Sequence, residues 1–201
     1  MLLRLLLLLS LWAPLAAGAA PTILVLGDSL SAAYGLDRDD GWVSLLQRRL
    51  EQAGYPHRVA NASISGETTS GALTRLAAEL DRHAPAIVVI ELGGNDGLRG
   101  LPLDAMRRNL AGMIEQCRAH RAQVVLAGMR LPPNYGRAYT RGFEQVYASL
   151  AAEYRVTLVP FLLDGLDDGP EHFQADAIHP TAAAQAVILD NVWRHLQPLL
   201  K

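Results

Sequence analysis

The stretch TILVLGDSLSAAYG, residues 22–35, decides the reading of this chain. Four apolar residues after Thr22, all β-branched or Leu, stop abruptly at Gly27-Asp28-Ser29. A run of that kind, apolar throughout instead of alternating, is what a strand covered on both faces requires. Four more short β-branched runs follow, several of them nearly all apolar: HRVANA (57–62), AIVVIEL (86–92), QVVLAG (123–128) and VTLVP (156–160). Helical patterns lie between and after them, over 41–53, 69–81, 102–120, 137–153 and 181–196. Five strands, each followed by a helix, predict an α/β fold: a five-stranded parallel sheet with helices on both faces, a three-layer α/β/α sandwich. A short helix is expected to start near Leu30.

Bulk properties narrow the function. The 201 residues suit one domain, with 18 basic and 20 acidic side chains giving a net charge of -2. There is no basic arm or stripe, so nucleic acid is not an expected partner. Residues 1–20, MLLRLLLLLSLWAPLAAGAA, carry one Arg, a leucine-rich core and small residues before Pro21. This reads as a secretory signal peptide cleaved after Ala19 or Ala20, with 21–201 as a single domain, in the periplasm or secreted. Cleavage removes Arg4 and leaves about -3. Cys117 is the only cysteine and sits in a helical pattern, where a buried small hydrophobe is the plainer reading than a catalytic thiol.

In open parallel sheets, sites gather in the loops beyond the carboxyl ends of the strands. Those exits read GDS, NASISGET, GGND and MRLPPNYG, and DAIHP well after the fifth strand. They hold the unusual polar residues. Ser29 suits a helix cap, a turn or a nucleophile. His179 suits packing or a general base, and Asp176, three residues earlier, suits an orienting carboxylate. Gly66 offers an unobstructed backbone N–H and Asn95 a side-chain amide, both fit for an oxyanion hole and both ordinary in turns. His172, Asp176 and His179 also compose a conceivable zinc set, although no fixed metal-ligand spacing supports it.

Four blocks in this order carry a resemblance: GDSLSAAYG, NASISGETTSG, GGND and DAIHP. Together they resemble the SGNH, or GDSL, family of serine esterases and lipases, over almost the whole mature chain. The segments ELGGNDGLRG and RLPPNYG resemble its bacterial periplasmic subgroup of thioesterases, lysophospholipases and arylesterases. The resemblance implies Ser29 as nucleophile, His179 as general base and acid, and Asp176 as the carboxylate that orients it. It implies an oxyanion hole of the Ser29 and Gly66 backbone N–H groups and the Asn95 amide. It also implies hydrolysis of carboxylic esters, acyl thioesters and lysophospholipids through an acyl-enzyme. Leu98, Leu101, Leu131 and Pro132 are candidates to line an acyl groove. The expected partner is a small-molecule acyl ester or thioester met by a monomer, with at most transient lipid contact and with no cofactor or metal. A carbohydrate O-deacetylase of the same family and a non-catalytic binding domain of the same fold are the alternatives.

Overall fold

The structure, a computed structural model, describes residues 20–167, 169 and 171–201. The signal-peptide reading of residues 1–19 therefore lies outside the described residues. The strands are β1 (Thr22–Gly27), β2 (Arg58–Asn61), β3 (Ile87–Glu91), β4 (Gln123–Ala127) and β5 (Thr157–Val159). The helices are α1 (Trp42–Gln52), α2 (Thr69–His83), α3 (Gly94–Leu98), α4 (Leu103–Ala119), α5 (Arg137–Tyr154) and α6 (Gln185–Leu196). All pairings are parallel and the sheet order is β2-β1-β3-β4-β5.

The expected architecture is present, and its cause is visible in the burial. Ile23 to Leu26 and Ile87 to Ile90 are essentially inaccessible on both faces. Helices α1 and α6 pack together as one layer, while α2, α4 and α5 pack in series as the other. The two outer layers bury the apolar stripes of their helices, such as Trp42, Leu46 and Leu50 of α1, against the sheet.

The order of the strands positions the site. After β1 the chain moves to one side to make β2, then crosses back to place β3 on the other side of β1. That reversal opens a crevice at the carboxyl ends of β1 and β3, the place where open α/β sheets bind ligands. Gly27 and Glu91 are register partners at that end. The loops carrying Ser29 and Asn95 thus leave the sheet side by side.

Three local expectations change. The segment after Leu30 forms turns, not a helix. Ala32 N–H reaches Asp28 O at 2.9 Å, but Ala33 enters the left-handed region at φ 59° and breaks the pattern. Asn95-Asp96-Gly97 lies in the short helix α3 instead of a plain turn. Finally, α6 begins at Gln185, not Thr181. Thr181 donates its N–H to His172 O at 2.8 Å and its hydroxyl to Glu171 O at 2.6 Å. A bridge between Phe173 and Pro180 accompanies these bonds. This clasp holds the chain extended past His179.

Candidate active site

Ser29 stands just beyond β1, half-buried, in a turn fixed by its neighbours. Asp28 Oδ1 accepts the Leu30 N–H at 3.1 Å, an Asx turn that bends the chain around Ser29. Tyr34 N–H returns to Ser29 O at 3.1 Å. The Ser29 hydroxyl then faces His179, with Oγ 2.9 Å from Nε2. These two residues are 150 apart in sequence, so their meeting is a product of the fold.

His179 is oriented by Asp176. Its Nδ1 lies 2.6 Å from Asp176 Oδ2. Asp176 Oδ1 accepts the Ile178 and His179 backbone N–H groups, each at 3.0 Å. Ala177, at φ 56°, makes the tight turn that lets one carboxylate serve its own chain and the ring. The hydrogen bonds from His179, backbone and then ring, with that from Ile178, hold the Asp176 pKa down to about 2. A carboxylate accepting from Nδ1 places the ring proton there and leaves the Nε2 lone pair for Ser29. The Tyr34 ring lies 4.4 Å from the imidazole, tilted by 38°. Its backbone carbonyl is bound by Gln174 Nε2 at 2.9 Å. This neighbour of His179 carries no motif signal beyond its presence in the first block.

The two middle exits approach from β2 and β3. Ala62 N–H bonds to Val25 O at 2.9 Å and Ile64 N–H to Gly27 O at 3.0 Å, extending the β1 pairing past β2. Asn61 Nδ2 holds Ser31 O at 2.8 Å. Gly66 follows at φ 79°, where a side chain would be strained, and Arg99 donates to its carbonyl at 2.9 Å. Asn95 sits in α3 and donates Nδ2–H to Asp28 Oδ2 at 3.0 Å. The next residue, Asp96, is buried and anchors α3 to the start of α2. It accepts the Thr69 N–H at 2.9 Å and the Thr69 hydroxyl at 2.5 Å.

A groove of about 440 Å³ opens at Ser29, within the range of small-ligand sites. Ser29, Asn95 and His179 line it together with Leu98, Leu131 and Pro132, three of the four expected acyl-contact residues. Leu101 does not join them: its carbonyl accepts the Tyr139 hydroxyl, and 38% of its surface is exposed. Sequence reasoning missed Met129, Phe161, Leu163 and Phe173, which complete the apolar wall. Their run positions look like core or loop packing until the loops are folded together. The His172, Asp176 and His179 ligand set does not assemble, because both His179 nitrogens are engaged and His172 pairs with Asp167. Cys117 is buried, and burial pushes its thiol up to about 12, which removes it from chemistry.

This serine, histidine and aspartate in one hydrogen-bonded line, at the mouth of an apolar groove, meet a matching family model. The model of the GDSL-like lipase/acylhydrolase family fits residues 25–187. The chain belongs to that family. It is similar to the esterase TesA of Pseudomonas aeruginosa, 54% identical over 182 residues that cover 90% of each chain. It is also 42% identical to the thioesterase 1/protease 1/lysophospholipase L1 of Escherichia coli, over 92% of this chain and 87% of that one. Among solved structures it resembles the psychrotrophic esterase EstA of Pseudoalteromonas, inhibited by monoethylphosphonate. There the TM-score is 0.84 at 40% identity, over 88% of this chain and 97% of that one. This GDSL-family protein is an ester hydrolase.

Proposed function

We propose that Ser29 is the nucleophile of this hydrolase, with His179 its general base and acid and Asp176 the carboxylate that orients the ring. The observation that carries the reading is the line Ser29 Oγ–His179 Nε2 at 2.9 Å and His179 Nδ1–Asp176 Oδ2 at 2.6 Å, opening on the groove. His179 takes the hydroxyl proton as Ser29 attacks the acyl carbonyl. The oxyanion is met by the Asn95 amide and the Ser29 and Gly66 backbone N–H groups. The protonated imidazole then gives its proton to the departing alcohol or thiol. Water repeats the sequence on the acyl-enzyme and frees the acid.

The substrates are aryl and alkyl esters, acyl thioesters and lysophospholipids. The groove wall supports an acyl chain: Leu98, Leu131, Pro132 and Phe161 offer it apolar contact. The reading is a monomer that meets lipid only in passing. A cleaved leader ending at Ala19 or Ala20 delivers the enzyme to the periplasm or beyond, which N-terminal sequencing of the exported protein checks.

A matched panel tests the activity: p-nitrophenyl esters of rising length, an acyl thioester, a lysophospholipid and an acetylated sugar, with wild type and Ser29→Ala. Turnover of acyl esters and thioesters by wild type alone is expected. Retained activity in Ser29→Ala overturns the serine mechanism. A preference for the acetylated sugar overturns the acyl-chain assignment in favour of a deacetylase.

A further inference from the structure

Two carboxyl groups lie beneath the Ser29 turn, and the reaction above leaves both unused. Glu91 ends β3 and is fully buried. Its Oε2 accepts the Asp28 N–H at 3.2 Å and the Ser31 hydroxyl at 2.7 Å, so one oxygen ties the chain on both sides of Ser29. Its Oε1 is buried without a hydrogen-bond partner. Gly27 keeps the space open. A Cβ there would stand 2.8 Å from Glu91 Oε2 and 2.7 Å from the Ser31 side chain.

Asp28 is equally hidden, at 2% exposure, but every polar atom of its side chain is used. Oδ1 takes the Leu30 N–H and Oδ2 takes Asn95 Nδ2. A primary amide has two N–H bonds. Committing one to Asp28 fixes which way the Asn95 amide is flipped and the plane in which it lies. The second N–H is thereby directed away from Asp28, on a residue that lines the groove.

Two adjacent carboxyls cut off from water do not both ionise. Glu91 is the one that keeps a proton. It has lost all contact with water, one of its oxygens has no donor, and burial with the neighbouring Asp28 charge pushes its pKa far up. Asp28 has donors on both oxygens and also faces His179, whose positive form favours its charge. The other groups turned toward the pair are Asp96 of α3 and Tyr147 of α5. Asp96 is engaged by Thr69, and the Tyr147 hydroxyl donates to Leu92 O at 2.9 Å, so neither supplies a cation.

We propose that Asp28 and Glu91 form a buried acid pair that positions the oxyanion donor: ionised Asp28 fixes the Asn95 amide, and protonated Glu91 holds the turn that carries Ser29. Both are positioning residues. The proposal rests on the reading of Asn95 as an oxyanion donor.

The test is steady-state kinetics on a short p-nitrophenyl ester, with enzyme concentration set by phosphonate titration of the reactive serine. Asn95→Ala is expected to lower kcat by about a hundredfold, and Asp28→Asn by roughly 10- to 50-fold with KM within about threefold. The double variant should be no slower than Asn95→Ala alone, because Asp28 acts through that amide. Glu91→Gln, which copies a neutral acid, should keep most of the activity that Glu91→Ala loses. Asp28→Asn at wild-type kcat, or costing as much without Asn95 as with it, overturns the Asp28 role. Glu91→Gln as slow as Glu91→Ala overturns the Glu91 role, and that pair still decides if Asp28→Asn does not fold. Failure of the serine mechanism shows separately, as activity surviving in Ser29→Ala.

Discussion

Ser29 lies between two acidic arms that solve opposite problems. The outer arm, Asp176 with His179, is open to solvent, and three N–H groups converge on one carboxylate. Its pKa falls to about 2, set by hydrogen bonds from His179 and Ile178. The inner arm, Asp28 with Glu91, is sealed. Burial raises Asp28 to about 6 and Glu91 well beyond the carboxylate range. The same functional group thus moves in opposite directions within one site. Loss of water outweighs two donors at Asp28, whereas three donors outweigh a nearly absent loss of water at Asp176. The outer arm keeps its charge at no cost to folding. The inner arm strains stability, which is expected only where position matters to the chemistry.

The sharpest way to break this contrast is to disable each arm's contact with Ser29 in turn. Ser29→Ala should lower kcat by on the order of 10⁴- to 10⁶-fold, because base and carboxylate then have nothing to activate. Asp176→Asn should cost about 10³- to 10⁴-fold. The amide oxygen can still accept two backbone N–H groups, but the ring then loses the anion that fixes its tautomer and balances its positive charge. Burst and steady-state assays on p-nitrophenyl butyrate check both. A loss under tenfold in Asp176→Asn would mean that Tyr34, packed on the ring, orients His179 unaided.

The inner arm is sharpened by stability instead of rate. Asp28 titrates at about 6 when folded and near 4 when unfolded. The folded chain therefore binds that proton more tightly. Its stability from this group is complete below pH 4, is lost as the pH rises to 6, and then stays level. The loss amounts to about 3 kcal/mol at full weight. Asp28→Asn has no such proton. Measured by urea unfolding, the variant should gain on wild type by roughly that amount between pH 4 and pH 7, while remaining the poorer catalyst. A constant difference across that range would show that Asp28 is not penalised by burial.

The contrast also explains what the sequence disclosed. β1 and β3 announce themselves because both faces are buried and each is built on four consecutive apolar residues, Ile23 to Leu26 and Ile87 to Ile90. Asp176 and His179 are close in sequence and share a block with Pro180, so the outer arm is legible as a motif. Asp28 and Glu91 are not. They meet only because β1 and β3 are neighbours in register, and a Glu closing a strand gives no sign that it is sealed. The α6 start is hidden for a related reason: the Thr181 clasp to residues 171 and 172 is a contact between loops, and helix propensity does not report it. Hydropathy alone points Leu101 to the groove. The turn through Gly100, at φ 64°, and the bond of Tyr139 to its carbonyl belong to another part of the loop.

The smallest effect separates both arms from substrate hold. Leu98 is half-buried and lines the groove with an aliphatic side chain that has no group to ionise or hydrogen-bond. Its backbone carbonyl is fixed by the Tyr135 hydroxyl at 3.0 Å, a bond that truncation leaves in place. Leu98→Ala removes apolar surface from the groove wall and nothing from the reacting atoms. The partial loss of a few methyl and methylene contacts is worth about 1 kcal/mol. The expected outcome is a roughly three- to tenfold fall in kcat/KM for a dodecanoyl ester, carried by KM, with the acetate ester within about twofold of wild type. An equal fall on both esters would place Leu98 with the machinery around Asn95, one turn of α3 away. A fall confined to the long ester assigns that wall to the acyl chain and leaves both acid arms responsible for the chemistry alone.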